Sequence, residues 1–286
     1  MAAPGGSRRL ARVFRQLCDR ASAVVFIVLV LAVSLATARV LGGLILAVSP
    51  LLVALFMQLT VTRGDWQRLG MGRLGLRTWP LAVVTTAGVC ALATAGVVAL
   101  GLARFATPAG PWLSDLVALC VTGPILAYAE ELGWRGYLLP RLLFLGEPLA
   151  FLVSGLVWIA WHLPYILLTP GYHHDGNRFL VLGLFGASVI AFSFLFGRLR
   201  LRSGSVWPVV LAHFAHNATF AWLATHAITT SHPVAVNEYL AGDTGLFVLV
   251  GTALGAVVIS RGAGRRRRPG PGPGDRVSAA PTPGGS

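Results

Sequence analysis

Lysine is absent from the 286-residue chain, charged residues of all kinds amount to only 12%, and cysteine occurs three times, at Cys18, Cys90 and Cys120. Each scarcity excludes something. With 55% hydrophobic residues and a mean hydropathy of +0.73, so little charge excludes a soluble domain of this length, and lipid is the solvent that the composition suits. Three cysteines with no CxxC and no even framework exclude a disulfide scaffold and read as packing residues. The missing lysine, beside 34 Gly and 17 Pro, reads as compositional bias. A formal net charge of +13 would suit nucleic acid, but the positions of the arginines argue against that partner.

Arg8, Arg9, Arg12, Arg15 and Arg20 precede the first apolar run, and Arg265 to Arg268 follow the last, where membrane proteins keep cytoplasmic charge. Runs long enough to cross a hydrocarbon core, roughly 20 residues, are expected near 21–38, 41–62, 80–103, 113–139, 147–169, 178–197, 204–225 and 244–260. Arg63, Arg68, Arg73 and Arg77 lie between the second and third runs, Arg141 follows the fourth, and Arg198, Arg200 and Arg202 separate the sixth from the seventh. The intervening loops, near 104–112, 170–177 and 226–243, carry little basic charge. This asymmetry places both termini in the cytoplasm and requires an even number of spans. The apolar run ending at Ala36-Thr37-Ala38 could pass for a secretory signal, but its length and the run that follows favour an uncleaved first span.

The chain divides into a basic cytoplasmic segment (1–20), N-terminal spans (21–112), a core (113–225), a loop with the last span (226–260) and an Arg/Pro/Gly-rich tail (261–286) expected to be disordered. The tail's arginines suit anionic lipid or a plain topology signal. Residues 66–79 mix Arg68, Arg73 and Arg77 with Leu69, Met71, Leu74 and Leu76, as an interfacial segment or a connecting loop with aromatic anchors would. Gly251 and Gly255 form a GxxxG pattern that could provide a packing face.

An ionisable residue inside a span costs about 2.5–3.5 kcal/mol on insertion scales, and the fourth run contains three. In Ala129-Glu130-Glu131-Leu132-Gly133-Trp134-Arg135-Gly136-Tyr137, Arg135 lies one turn beyond Glu131 on the same stripe, so the two can satisfy each other. Glu130 points about 100° away and remains free to face a cavity. A buried ion pair that fixes helix packing is the rival reading, and the second carboxylate weakens it. The fifth run carries Trp158-Ile-Ala-Trp161-His162, and the seventh carries His213-Phe-Ala-His216-Asn217, with His213 and Asn217 one turn apart and His216 on their margin. A carboxylate, imidazoles and an amide at one depth suit activation of water. Glu130 would be the general base, an imidazole would assist or pass the proton, and His and Asn would stabilise an oxyanion.

The run from Glu130 to Tyr137 resembles the EExxxR signature of the family that groups CAAX prenyl proteases with bacteriocin-processing enzymes. Trp158 to His162 resembles its second motif, FxxxH, and His213 to Asn217 its third, HxxxN; together they cover residues 113–225. Trp158 stands where the family usually has Phe and Trp134 where Phe or Tyr is commoner, changes expected to touch packing and to leave chemistry alone. The resemblance implies an intramembrane endopeptidase in which Glu130 activates water with help from His162 while His213 and Asn217 form the oxyanion site. Glu131, Arg135 and Trp158 would support them.

A His₂Glu zinc site through Glu130, His162 and His213 is conceivable. No HExxH is present, however, and Asn217 is a poor zinc ligand but a good oxyanion donor, so no cofactor is favoured. His173, His174 and Asp175 read as a solvated loop cluster, His226 and His232 as surface residues, and the sequon Asn217-Ala-Thr219 lies within a span, where it is no glycosylation acceptor.

These readings combine as an all-α, polytopic membrane bundle of about eight transmembrane helices without a soluble domain. Its expected place is a prokaryotic plasma membrane. Its expected partners are the bilayer and a membrane-associated peptide or lipidated protein, with no nucleic acid. A prenylated C-terminal substrate would require a cavity open to the cytoplasm. A proton-coupled transporter and a non-catalytic membrane scaffold or immunity protein are the alternatives.

Overall fold

The computed structural model describes residues 5–39, 42–63, 65–170 and 172–265. Within lipid every backbone N–H and C=O needs an internal partner, which makes helices the natural state of these apolar runs. They form α1 (Gly5–Thr37), α2 (Gly42–Thr60), α3 (Trp79–Val84), α4 (Ala87–Ala99), α5 (Trp112–Glu131), α6 (Leu139–Leu142), α7 (Glu147–Leu168), α8 (Arg178–Ser203), α9 (Trp207–Trp222) and α10 (Leu246–Arg265). Each of the eight expected runs falls on helix. Six stretches among the described residues are long and apolar enough to cross a membrane: Gln16–Thr37, Gly43–Thr60, Leu76–Ala99, Trp112–Leu145, Glu147–Leu168 and Arg178–Ser203. The seventh, α9, is 16 residues of α-helix prolonged by a π turn, and the eighth is the shorter apolar helix Leu246–Arg261. The molecule is a polytopic all-helical membrane protein.

Several boundaries differ from the sequence expectation for local reasons. The first helix begins at Gly5, so the basic stretch 1–20 continues the span as helix from that residue on. The third run is broken between α3 and α4 at Thr85-Thr86, whose hydroxyls bond back to the carbonyls of Leu81 and Ala82. Such back-bonding competes with the helix ladder. Helix α8 runs six residues past its expected end, so Arg198, Arg200 and Arg202 belong to helix and not to a loop. Arg198 pairs with Glu147. Arg200 is buried, donating Nε–H to the Arg135 carbonyl at 3.1 Å and Nη2–H to the Arg68 carbonyl at 2.9 Å. Helix α10 takes in residues 261–265; the rest of the expected disordered tail, 266–286, lies outside the described residues.

Residues 66–79 form two short 3-10 turns, Trp66–Leu69 and Leu76–Thr78, packed against the arginine-rich end. Arg68 grips both oxygens of Asp19 at 2.7 and 3.1 Å and reaches the Pro140 carbonyl at 3.1 Å. Gly70 closes the first turn at φ 78°, and a Cβ there would stand 2.6 Å from the Arg200 guanidinium carbon. At the opposite end a two-residue antiparallel ribbon, β1 (Arg104–Phe105) with β2 (Ile228–Thr229), joins the α4–α5 loop to the stretch after α9. The GxxxG face packs as expected: added methyls on Gly251 and Gly255 would meet Val89 and Thr85. Cys90 is buried, whereas Cys18 and Cys120 are exposed and do not pack.

Candidate active site

Helix α5 changes character where its carboxylates stand. After Glu131 the chain continues as a π-helical stretch, Leu132–Leu138, every residue of which is buried. Gly133 in that stretch meets Pro50 of α2 so closely that a Cβ would lie 2.8 Å from the Pro50 carbonyl carbon and oxygen. Proline leaves no N–H in α2 at this point, and glycine lets the two backbones touch. The polar residues are thereby fixed at the middle of the bundle.

Arg135 donates through Nη1 to both oxygens of Glu131, at 2.9 and 3.0 Å, with both side chains essentially inaccessible. The guanidinium carbon lies 4.3 Å from the ring centre of Trp158 and 5.0 Å from that of Phe196. Glu131 takes a further bond from His213 Nδ1 at 2.9 Å, a contact that helical spacing alone could not reveal because α9 lies 82 residues away. The i,i+4 pairing of Glu131 with Arg135 is thus as expected, and the pair also anchors α9.

Glu130 stands apart from this pair and lines a cavity of about 340 Å³ together with Trp158, His162, His213 and Asn217. The four residues expected to act together therefore share one chamber. Trp158 Nε1–H donates to Glu130 Oε2 at 3.2 Å, a bond that phenylalanine, with no donor to offer, could not make. His162 Nδ1 lies 2.9 Å from the Trp158 carbonyl, which fixes the proton on Nδ1 and leaves the lone pair on Nε2. His216 is committed elsewhere, with Nδ1 3.2 Å from Cys90 Sγ and Nε2 2.9 Å from the Asp243 carbonyl. The remaining wall is largely aromatic, including Trp161, Tyr165, Phe185, Phe192 and Phe220.

The far end of the chamber was missed by sequence reasoning. His173, expected to be solvated, is buried in the left-handed region at φ 51°, with Nδ1 2.9 Å from Glu238 and Nε2 3.1 Å from Thr244 Oγ1. Burial opposes its charge, but the bond to Glu238 and the charges of Asp243 and Glu238 outweigh that and raise its pKa above the usual imidazole value. Tyr172 lines the chamber and donates to Asp243 Oδ2 at 2.5 Å. Burial, then the neighbouring Asp243 charge, hold its phenol well above the ordinary range, so it remains a donor. His226 is also buried, against Asp115 at 3.0 Å, contrary to its expected surface place; His174, Asp175 and His232 are exposed as expected. The partners of His173 and His226 lie 65 and 111 residues away, beyond any local sequence signal.

Among the described residues no group of three His, Cys, Asp or Glu side chains is arranged to hold a metal ion.

Residues 108–219 match the family model described as type II CAAX prenyl endopeptidase Rce1-like, the family that the three motifs resemble. No curated protein matches the chain. The matched region holds Glu130, Glu131, Arg135, His162, His213 and Asn217, and it supports a protease embedded in the membrane by the six apolar stretches.

Proposed function

We propose that the protein is an intramembrane endopeptidase that hydrolyses membrane-associated peptides with water activated by Glu130. One observation carries the reading. Of the two adjacent carboxylates, Glu131 is neutralised by Arg135, whereas Glu130 faces the cavity beside His162, His213 and Asn217.

Glu130 takes a proton from water, and the hydroxide attacks the scissile carbonyl carbon. The Trp158 indole holds one carboxylate oxygen and leaves the other for the water. His162, oriented by the Trp158 carbonyl, positions the same water through Nε2. The tetrahedral oxyanion is held by the Asn217 amide and by His213. Since His213 Nδ1–H is given to Glu131, a proton on Nε2 makes the ring a cation whose charge the developing oxyanion offsets, and Nε2–H becomes the oxyanion donor. Glu130 then returns its proton to the departing amine, so that water and amide give carboxylic acid and amine. No step requires a metal.

The test is cleavage of a quenched fluorescent lipopeptide library by purified protein in nanodiscs. Glu130→Gln should lower kcat by about 10²–10⁴-fold, the range for a lost general base, and EDTA should leave the wild type active. Loss with EDTA and rescue by zinc would overturn the metal-free mechanism. No cleavage by well-folded wild type would favour the transporter or scaffold reading.

A further inference from the structure

Apart from Phe192, Phe196 and His213, which line it from the halves of α8 and α9 nearer the arginine-rich end, the chamber lies toward one end of the bundle. Helix α2 contributes Leu46 and Ala47 from its first half, α7 contributes His162 and Tyr165 from its second half, and α9 contributes Asn217 and Ala221 from its second half. Helix α2 runs opposite to α7 and α9, with Gly43 near its start against Tyr165 near the end of α7, so all three halves belong to the same end of the bundle, the end that bears the α7–α8 loop. Tyr172 of that loop, with Asp243 and Thr244 ahead of α10, completes the wall there. Asn217 is exposed, and Glu130, His162 and Tyr165 are partly accessible.

The other end is closed. Beyond Glu130, in the direction of the arginine-rich loops, Leu69, Leu132, Trp134, Leu138 and Leu199 are each no more than 1% exposed. Arg135 and Arg200 fill the space between them and are bonded to carboxylate and backbone. A peptide cannot reach Glu130 through this packed core without unfolding it.

The closed end carries Arg63, Arg68, Arg73, Arg77, Arg198, Arg200 and Arg202, together with the N-terminal arginines. The open end carries only Arg39, Arg104 and Arg178, and Arg178 is turned inward onto the carbonyls of His173 and Ile166. Arginine excess marks the cytoplasmic face. We infer that the chamber opens to the extracytoplasmic side, and that the substrate class is a membrane-anchored or exported peptide presented at the outer leaflet and not a prenylated tail in the cytoplasm. This rests on the endopeptidase reading for the word substrate; the direction of the opening stands on geometry and charge.

The test separates the two. In full-length protein with Cys18, Cys90 and Cys120 replaced, single cysteines are introduced as Ala47→Cys and Ala221→Cys in the chamber. His174→Cys marks the open end and Gly72→Cys the arginine-rich end, where an added Cβ meets nothing within 4 Å. A membrane-impermeant maleimide is applied to spheroplasts and to inverted vesicles. Labelling of the chamber positions from the spheroplast side, with His174→Cys and opposite to Gly72→Cys, is expected; labelling from the inverted side would overturn the inference. A quenched lipopeptide inserted in the outer leaflet should be cleaved by wild type, and cleavage confined to lipopeptide on the cytoplasmic side would likewise overturn it. Outward labelling with no cleavage from either side supports the opening and rejects the endopeptidase reading.

Discussion

At the arginine-rich end the buried polar contacts are made by guanidiniums that sit on helices: Arg135 on Glu131, Arg200 on the carbonyls of Arg135 and Arg68, and Arg141 on the Tyr137 carbonyl. At the chamber end they are made by side chains that change charge or sit on loops: Tyr172 on Asp243, and His173 between Glu238 and Thr244. Arginine is charged at every accessible pH and presents a rigid fork of donors. Histidine and the carboxylates are not so constant. The first end is therefore a fixed floor on which Glu130 is held. The second is a wall whose strength depends on conditions, and it is the side from which, on the opening inferred above, a substrate would enter.

The contrast can be broken most severely at the floor. Arg135→Met strands Glu131 in the core, where loss of one partner of a buried pair costs about 3–5 kcal/mol, and thermal unfolding in detergent should fall accordingly. The double variant Glu131→Gln with Arg135→Met should recover most of that stability without recovering cleavage, because His213 would still lack its carboxylate. Full recovery of cleavage would show that the pair is packing alone.

A smaller effect is expected at Trp158, where floor and chamber meet. Trp158→Phe keeps the ring under Arg135 and removes the N–H that holds Glu130. A hydrogen bond to a charged group contributes about 1.5–3 kcal/mol, so kcat should drop roughly tenfold or more while KM changes little. An unchanged kcat would mean that the indole only packs.

The smallest effect belongs to the chamber wall. The raised pKa of His173 means that its charged contacts with Glu238 and Asp243 stabilise the fold in full below the unfolded value of about 6.5 and are lost as pH rises through the higher folded value. Tm of the wild type should decline by on the order of a few degrees between mildly acid and alkaline pH, and His173→Gln should flatten that part of the curve. A decline that persists in the variant would assign it to another group.

Much of this arrangement was legible in the sequence because two of its causes are local. Lipid demands long apolar helices, and helical spacing decides that Glu131 meets Arg135 while Glu130 turns aside; neither needs knowledge of tertiary contacts. The order of motifs on the chain also put Glu130, His162, His213 and Asn217 at one depth, and the structure gathers them in one cavity. What escaped were contacts between distant segments. Arg200 read as a topology signal because its acceptors are backbone carbonyls, which no side-chain pattern announces. His173 looked solvated because Glu238 and Thr244 belong to the far side of α9. The indole of Trp158 looked like mere bulk until Glu130 was found opposite it. The break at Thr85-Thr86 was a local signal that hydropathy alone overlooks, since threonine scores as nearly neutral while its hydroxyl competes for the helix carbonyls.

The junction of Gly133 with Pro50 bears on how such enzymes are recognised from text alone. In EExxxR the three central letters are written as if free, yet in this chain the second of them, Gly133, lies so close to Pro50 of α2 that a Cβ would stand 2.8 Å from its carbonyl carbon and oxygen, and any side chain there would collide with α2. A pattern that leaves that letter open accepts strings that could carry both glutamates and the arginine and still be unable to assemble the site. In this chain the placing of Glu131 and Arg135 therefore depends on a proline some eighty residues upstream as well as on the letters of the motif itself.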